Sequence, residues 1–521
     1  MIEKYYSGVI EQIYNRIGKE TRNIVMANYS NDFSIENLEV IRRYQSNEDN
    51  VFFAYSEFSY NTLIGAYEPF LDIICNMHRR FIGGSFDDFQ KECGVYYLHR
   101  QVLNSYYETG ECFREETVLL NEVAYERRRM TMAIADMLKR LSEVRPLMIV
   151  INRFQMASKS SIETIKYLID NPCASIGIVL GVNALVKGTD STVEVWDRIV
   201  ESLEDRSAIY YIGSAGSLKN NVKTTNDDEL YITMNFEQSI QEASNIMEFL
   251  DFEQAKRGCR IIEHKLKFED AWIDEKSLRR FYMVYARTSV LLGEMSKAIE
   301  LTNEYKALIP KNDSEHYLSL YYFMKGTCYM YQGKLEKAEN CAKSAYDYAV
   351  LAEDDTLIFK AELLSVMIKM SGWYNIFFCV QDIPVSDEII EKLIKHGYRN
   401  HLAHIYIYAY DNSRDVVKQS FYDESLLKHF TKGLELAKEI GNEQLVYDAY
   451  QKIIMLASTN GFNEIAFLYV IRTYEFMKGH GNIYVARVLT SIGYNLSAMG
   501  KNELVDNYYL SLIHISEPTR Q

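Results

Sequence analysis

The residues best placed for chemistry stand at the ends of two apolar runs. Leu147–Ile151 (LMIVI) ends in Asn152 and Arg153 and leads through a short polar loop past Ser158. Asn23–Met26 leads into the polar loop Ala27-Asn-Tyr-Ser-Asn-Asp-Phe-Ser34. Loops at the ends of buried parallel strands are where a sheet presents groups to a phosphate or a metal. Magnesium there needs carboxylates: the Asn152 amide is a poor substitute, and the Arg153 guanidinium would repel the ion. In the other loop Asp32 would repel a polyphosphate.

Elsewhere the chemistry is thin. No G-x-S-x-G, H-E-x-x-H or protein-kinase signature occurs. His401 and His404 are three apart and share a helix face, but no third ligand lies nearby, so they read as surface or interhelical groups and no metal is expected. The eight cysteines, from Cys75 to Cys379, are scattered with no C-x-x-C. They read as reduced thiols of a cytoplasmic protein. The runs His78-Arg79-Arg80 and Glu126-Arg127-Arg128-Arg129 read as solvated helix faces. With 57 basic against 72 acidic residues the formal charge is −15, which argues against a broad nucleic-acid surface. No apolar run reaches the ~20 residues that a membrane-spanning helix needs.

The elements that would carry the loops follow from periodicity. A helix is expected over residues 3–20, with Tyr6, Val9, Ile10, Ile13 and Ile17 on one side, and another with Ile35, Leu38 and Ile41 inward. Asn50–Ser56 and Ser175–Val182 are continuous apolar runs, as in parallel strands covered on both faces. Tyr67-Glu68-Pro69-Phe70-Leu71 opens a further helix.

Strand, loop and helix in this order, with the strand-to-helix unit at Pro146–Leu168, resemble the nucleotide module of STAND-type, AAA-like P-loop ATPases over residues 1–215. A working loop of that kind reads G-x-x-x-x-G-K-[ST]. Aligned on Ser34, the two glycines become Ala27 and Asp32, and the lysine becomes Phe33. The slots for the metal carboxylates hold Asn152 and Arg153, a further acidic slot holds Ser158, and the sensor slot after Gly181 holds Asn183. The resemblance therefore implies a degenerate domain with no catalytic residues, no bound cofactor and no ATPase activity. A divergent active NTPase is the enzymatic alternative.

From about residue 230 onward amphipathic helices follow one another. Gly326, Tyr329, Gly333, Ala338 and Ala345 match the tetratricopeptide (TPR) pattern of a helical hairpin. Ala286, Gly293, Ala298 and Pro310 form a preceding unit; Gly441, Gly461 with Ala466, and Gly493 with Gly500 mark later ones. Trp373–Asp387 reads as an irregular connection. The expected architecture is an α/β P-loop-NTPase-like domain plus an all-α TPR-like superhelical solenoid. Residues 216–275 would be a helical linker or first repeat, and 276–509 the solenoid. A solenoid of this kind offers a concave face to a protein or peptide partner; a plain scaffold is the other possibility. The tail Leu510–Arg520, LSLIHISEPTR, resembles the translation of a sequencing-library adapter. Residues 510–521 are thus expected to be artefactual, with the native chain continuing into an output domain. In the resembled proteins that domain is LuxR-type DNA-binding or a diguanylate or other nucleotide cyclase.

Overall fold

The computed structural model describes residues 2–29, 39–46, 50–59, 63–114, 116–120, 122–183, 186–187, 197–203, 209–212, 223–224, 235–268, 273–312, 314–371, 386–408, 424–459, 461–477 and 482–505. The chain divides into two compact units, Met1–Pro310 and Lys311–Gln521. The first four helices of the helical region therefore belong with the sheet.

In the first unit, β1 (Ile24–Tyr29), β2 (Phe52–Glu57), β3 (Leu147–Asn152), β4 (Ile176–Asn183) and β6 (Ile209–Ile212) form one sheet, order β2-β3-β4-β1-β6. Every pairing in it is parallel. Two short strands, β5 (Val186–Lys187) and β7 (Lys223–Thr224), pair separately. All residues of β3 and β4 are buried, which is why those runs are continuously apolar. β1 runs three residues beyond the expected Met26, because strands flank it on both sides and pair it out to Tyr29. Ala27 is consequently a fully buried strand residue opposite Gly181, and does not open the loop.

Helix α1 (Ile2–Arg16) packs on β1, β4 and β6 and touches α2 (Glu39–Ser46). Tyr6, Val9, Ile10, Ile13 and Ile17 all point inward, as their spacing predicts, and Ile41 of α2 is buried too. After β2 come α3 (Phe70–Met77), a π-helical turn (His78–Ile82), α4 (Phe86–Glu92), α5 (Tyr97–Thr109) and α6 (Val123–Val144). Helix α7 (Lys159–Asp170) joins β3 to β4 and packs on α6. Right-handed crossovers put α2 and α7 on opposite faces, because the chain crosses the sheet in opposite directions at those two connections. A short helix spans residues 197–203, and four longer ones follow in the unit: α8 (Phe236–Glu248), α9 (Phe252–Phe268), α10 (Glu275–Leu291) and α11 (Met295–Ala307).

The second unit is helical throughout its described residues: α12 (Glu315–Tyr331), α13 (Leu335–Leu351), α14 (Asp355–Ser371), α15 (Asp387–Lys395), α16 (Arg399–Tyr408), α17 (Glu424–Ile440), α18 (Glu443–Thr459), α19 (Asn463–Met477) and α20 (Asn482–Ala498). α12 packs on both α13 and α14, the stacking of a helical-hairpin array. Gly326 makes this possible: a Cβ there would lie 3.1 Å from Leu364 Cδ2 and 3.2 Å from Cys341 Cβ. Across from it Ala338, Ala342, Ala345 and Ala349 form a fully buried small-residue stripe on α13. Gly333 turns the hairpin with φ +70°, a value that favours glycine. Most of the expected irregular connection after Trp373 lies outside the described residues, as does the 510–521 tail.

Two readings of charge are corrected. His78 is buried among Phe86, Phe89 and Tyr107, although Arg79 and Arg80 stay at the surface. Glu126 is fully buried, 3.0 Å from His99 Nε2. Burial pushes its carboxyl up to about 8, against the opposing pull of Arg129 and Arg114, and pushes the His99 imidazole well below its usual range. His401 and His404 are buried, the interhelical of the two alternatives.

Candidate functional site

The strand order places a switch point between β1 and β4, whose onward connections leave in opposite directions across the sheet. Ligands of open α/β sheets bind outside the carboxyl ends of strands at such a point. Tyr29 pairs with Asn183, and Ile151 with Leu180, so the ends of β1, β3 and β4 lie side by side there. Asn152 closes β3 with Arg153 directly after it, and Asn183 closes the neighbouring β4. Asp32, Phe33 and Ser34 lie outside the described residues.

Asn152 is fully buried. Its backbone carbonyl accepts from Phe58 N–H at 3.2 Å, and its side-chain oxygen stands 2.8 Å from where a Cβ on Gly181 would sit. The hydroxyl of Tyr6 crowds the same point from α1. Glycine at 181 is thus a close-approach residue that lets α1 and Asn152 meet over β4. Arg153 adopts a left-handed backbone, φ +55°, and its guanidinium forms an ion pair with Glu57 at 3.1 Å. Tyr55 donates its hydroxyl to the other oxygen of Glu57. Gln155 accepts the Asn183 N–H at 3.2 Å, tying the loop after β3 to the end of β4.

This donor set does not fit a divalent cation. The residue inside the slot is a neutral amide, and the carboxylate beside it is already matched to a guanidinium. Magnesium would have to displace Arg153 from Glu57 while lying next to its positive charge.

The loop after β3 continues into a polar seam. Ser158 caps α7, accepting from Ser161 N–H. Ser160 N–H donates to Asp251 Oδ2 at 3.0 Å, and Asp251 also accepts from Gln254 N–H at the start of α9. Arg127 of α6 reaches Glu253 at 2.9 Å and Glu163 at 3.0 Å; Lys159 adds a 3.0 Å bond to Glu253. The Glu126-Arg127-Arg128-Arg129 run is therefore in part a docking surface for α9. Nearby, Arg114 donates to the Glu248 carbonyl at 2.7 Å and Cys112 N–H to Asn245 at 2.9 Å, strapping the α5–α6 connection to α8.

Sequence reasoning missed Glu57, Gln155 and Asp251. Two of them left a signal. Glu57 is a carboxylate closing an apolar strand, and Asp251 precedes Gln254 by three residues at a helix start, a capping-box spacing. Gln155 left none.

No protein-family model and no curated protein matches the sequence. Among solved structures the chain is similar to a STAND protein with a tetratricopeptide repeat sensor from Pyrococcus horikoshii, with 11% identity and TM-score 0.46 over 98% of this chain and 89% of that one. It is similar to the apo form of RapI, with 15% identity and TM-score 0.41 over 55% of this chain and 77% of that one. It is also similar to the apo quorum sensor NprR from B. thuringiensis, with 12% identity and TM-score 0.29 over 68% and 99%. All three scores are below 0.5, so the functional case rests on the side chains described above. No helix among the described residues is long and apolar enough to cross a membrane.

Proposed function

We propose that this chain is the regulatory and sensory part of a cytoplasmic signalling protein. Its α/β layer does not hydrolyse ATP and contributes an interface instead of an energy source. The helical array binds a protein or peptide partner and passes its state to an output module. The observation that carries this reading is the Arg153–Glu57 pair beside Asn152, which fills the metal position with a neutral amide and a compensated charge. The seam from Ser158 through Ser160 to Asp251 supports the coupling half of the reading. It joins the start of α7 to the first turn of α9 through the Asp251 carboxylate, which accepts the Ser160 N–H on one oxygen and the Gln254 N–H on the other.

Phosphate release by the purified chain with magnesium and ATP tests the first half. The expected rate equals the uncatalysed background. Turnover that disappears in Asn152→Ala or Ser34→Ala would contradict it. One observation favours a second reading, a divergent NTPase: the Glu57 carboxylate stands beside the slot. In that case turnover would depend on Glu57 and would fall in Glu57→Gln.

A further inference from the structure

The segment Leu63–Leu71 leads into α3 and is held from two sides. On one side lies the start of α7: Ser160 Oγ accepts the Tyr67 N–H at 3.0 Å, and the Ser161 hydroxyl donates to the Glu68 carbonyl at 2.8 Å. On the other side lies α8. Gly65 has no Cβ, and the position a Cβ would take is 3.1 Å from Glu242 Oε1 of α8 and 3.3 Å from Glu68 Oε2. Two carboxylates from different elements thus crowd one point. Glu68 accepts the Gly65 N–H at 2.9 Å. The other titratable groups facing the pair are Asp72, the Tyr106 hydroxyl that donates to Asp72 at 3.0 Å, and the Cys112 thiol. Among the described residues no cation forms an ion pair with Glu68 or Glu242.

Two ionised carboxylates in this position would repel each other across the seam; one proton between them removes the repulsion. We propose that Glu68 and Glu242 form a proton-dependent latch that seats α8 on the α/β layer, closed when one of the two is protonated and loosened when both are ionised. Burial, then the Glu68 and Asp72 charges, push Glu242 up to about 7, and burial also raises Glu68. The folded chain therefore holds a proton that the unfolded chain has already lost. The contribution of the pair is fully favourable below the ordinary glutamate range, weakens as pH rises through it toward 7, and levels off above. Because Glu68 lies one residue from Tyr67 and its carbonyl is bonded to α7, the latch reports to the segment that follows β3. It stands whether or not the α/β layer turns over nucleotide.

Hydrogen exchange of the α8 amides in the full chain, corrected for the intrinsic pH dependence of exchange, tests it. Between about pH 5.5 and about pH 8 the opening of α8 is expected to increase about ten-fold. Amides of α12, in the other unit, serve as the reference and should not change. Glu242→Gln and Glu68→Gln each remove the second charge without changing shape, so either variant should flatten the profile and hold α8 closed at the higher pH. A flat wild-type profile, or a slope that survives in both variants, would overturn the proposal.

Discussion

Gly181→Val is expected to lower the stability of the first unit by about 3 kcal/mol, the upper part of the range for overpacking a buried core. β4 is paired to β1 on one side and β3 on the other, and all of it is buried. The new Cβ would meet Asn152 Oδ1 at 2.8 Å and the Tyr6 hydroxyl closer still. Neither obstacle gives way cheaply. Asn152 belongs to the adjacent strand, and Tyr6 is a fully buried ring on α1. Gly177 on the same strand is the milder case, where alanine adds a single methyl: its Cβ would meet Ile17 Cδ1 and Cγ1 at 2.8 Å and Ile13 Cγ2 at 3.0 Å, aliphatic atoms with no polar partner to displace. Gly177→Ala should therefore cost about 1 kcal/mol. Urea unfolding followed by a probe in the first unit measures both; equal losses in the two variants would mean that Gly181 is not a close-approach residue.

Asp251→Ala is the other large effect, expected at about 2–4 kcal/mol. The substitution removes the acceptor for Ser160 N–H on α7 and for Gln254 N–H at the head of α9, and both donors lie in buried surroundings. Burial raises the Asp251 carboxyl above its usual range, so the site favours a neutral group. Asp251→Asn keeps an oxygen in place and should recover most of the loss. Limited proteolysis distinguishes this from a general loss of stability, because cleavage should appear first around residues 157–161 and 249–254. Uniform cleavage across the first unit would show that the contact carries no coupling.

Much of the fold is legible in the sequence because its signals are local. The apolar runs of β3 and β4 mark central parallel strands by their length and lack of alternation. The stripe from Tyr6 to Ile17 marks the helix that covers them. In the second unit Gly326, Gly333, Ala338 and Ala345 fall where a helical hairpin needs close approach or a turn, and each has that role.

The parts that were not legible depend on partners distant in sequence. The end of β1 was misplaced because Asn28 and Tyr29 look like loop residues until β4 and β6 are seen to pair with them. Arg127 looks solvated beside Arg128 and Arg129; its carboxylates lie 36 and 126 residues away. Arg153 reads as a charge that repels a metal, and only the register of β2 on β3 brings Glu57 to neutralise it. The candidate site was thus legible as a loss of ligands, and illegible as the ion pair that replaces them.

The measurement that tests the central claim most directly is calorimetric titration of the purified chain with ATP, with and without magnesium. A metal position closed by Arg153 and Glu57 predicts no magnesium-dependent heat, and the same result for Glu57→Gln. Saturable binding that requires magnesium and is lost in Glu57→Gln or Asn152→Ala would contradict the account, since it would place a metal where the ion pair is expected to stay shut.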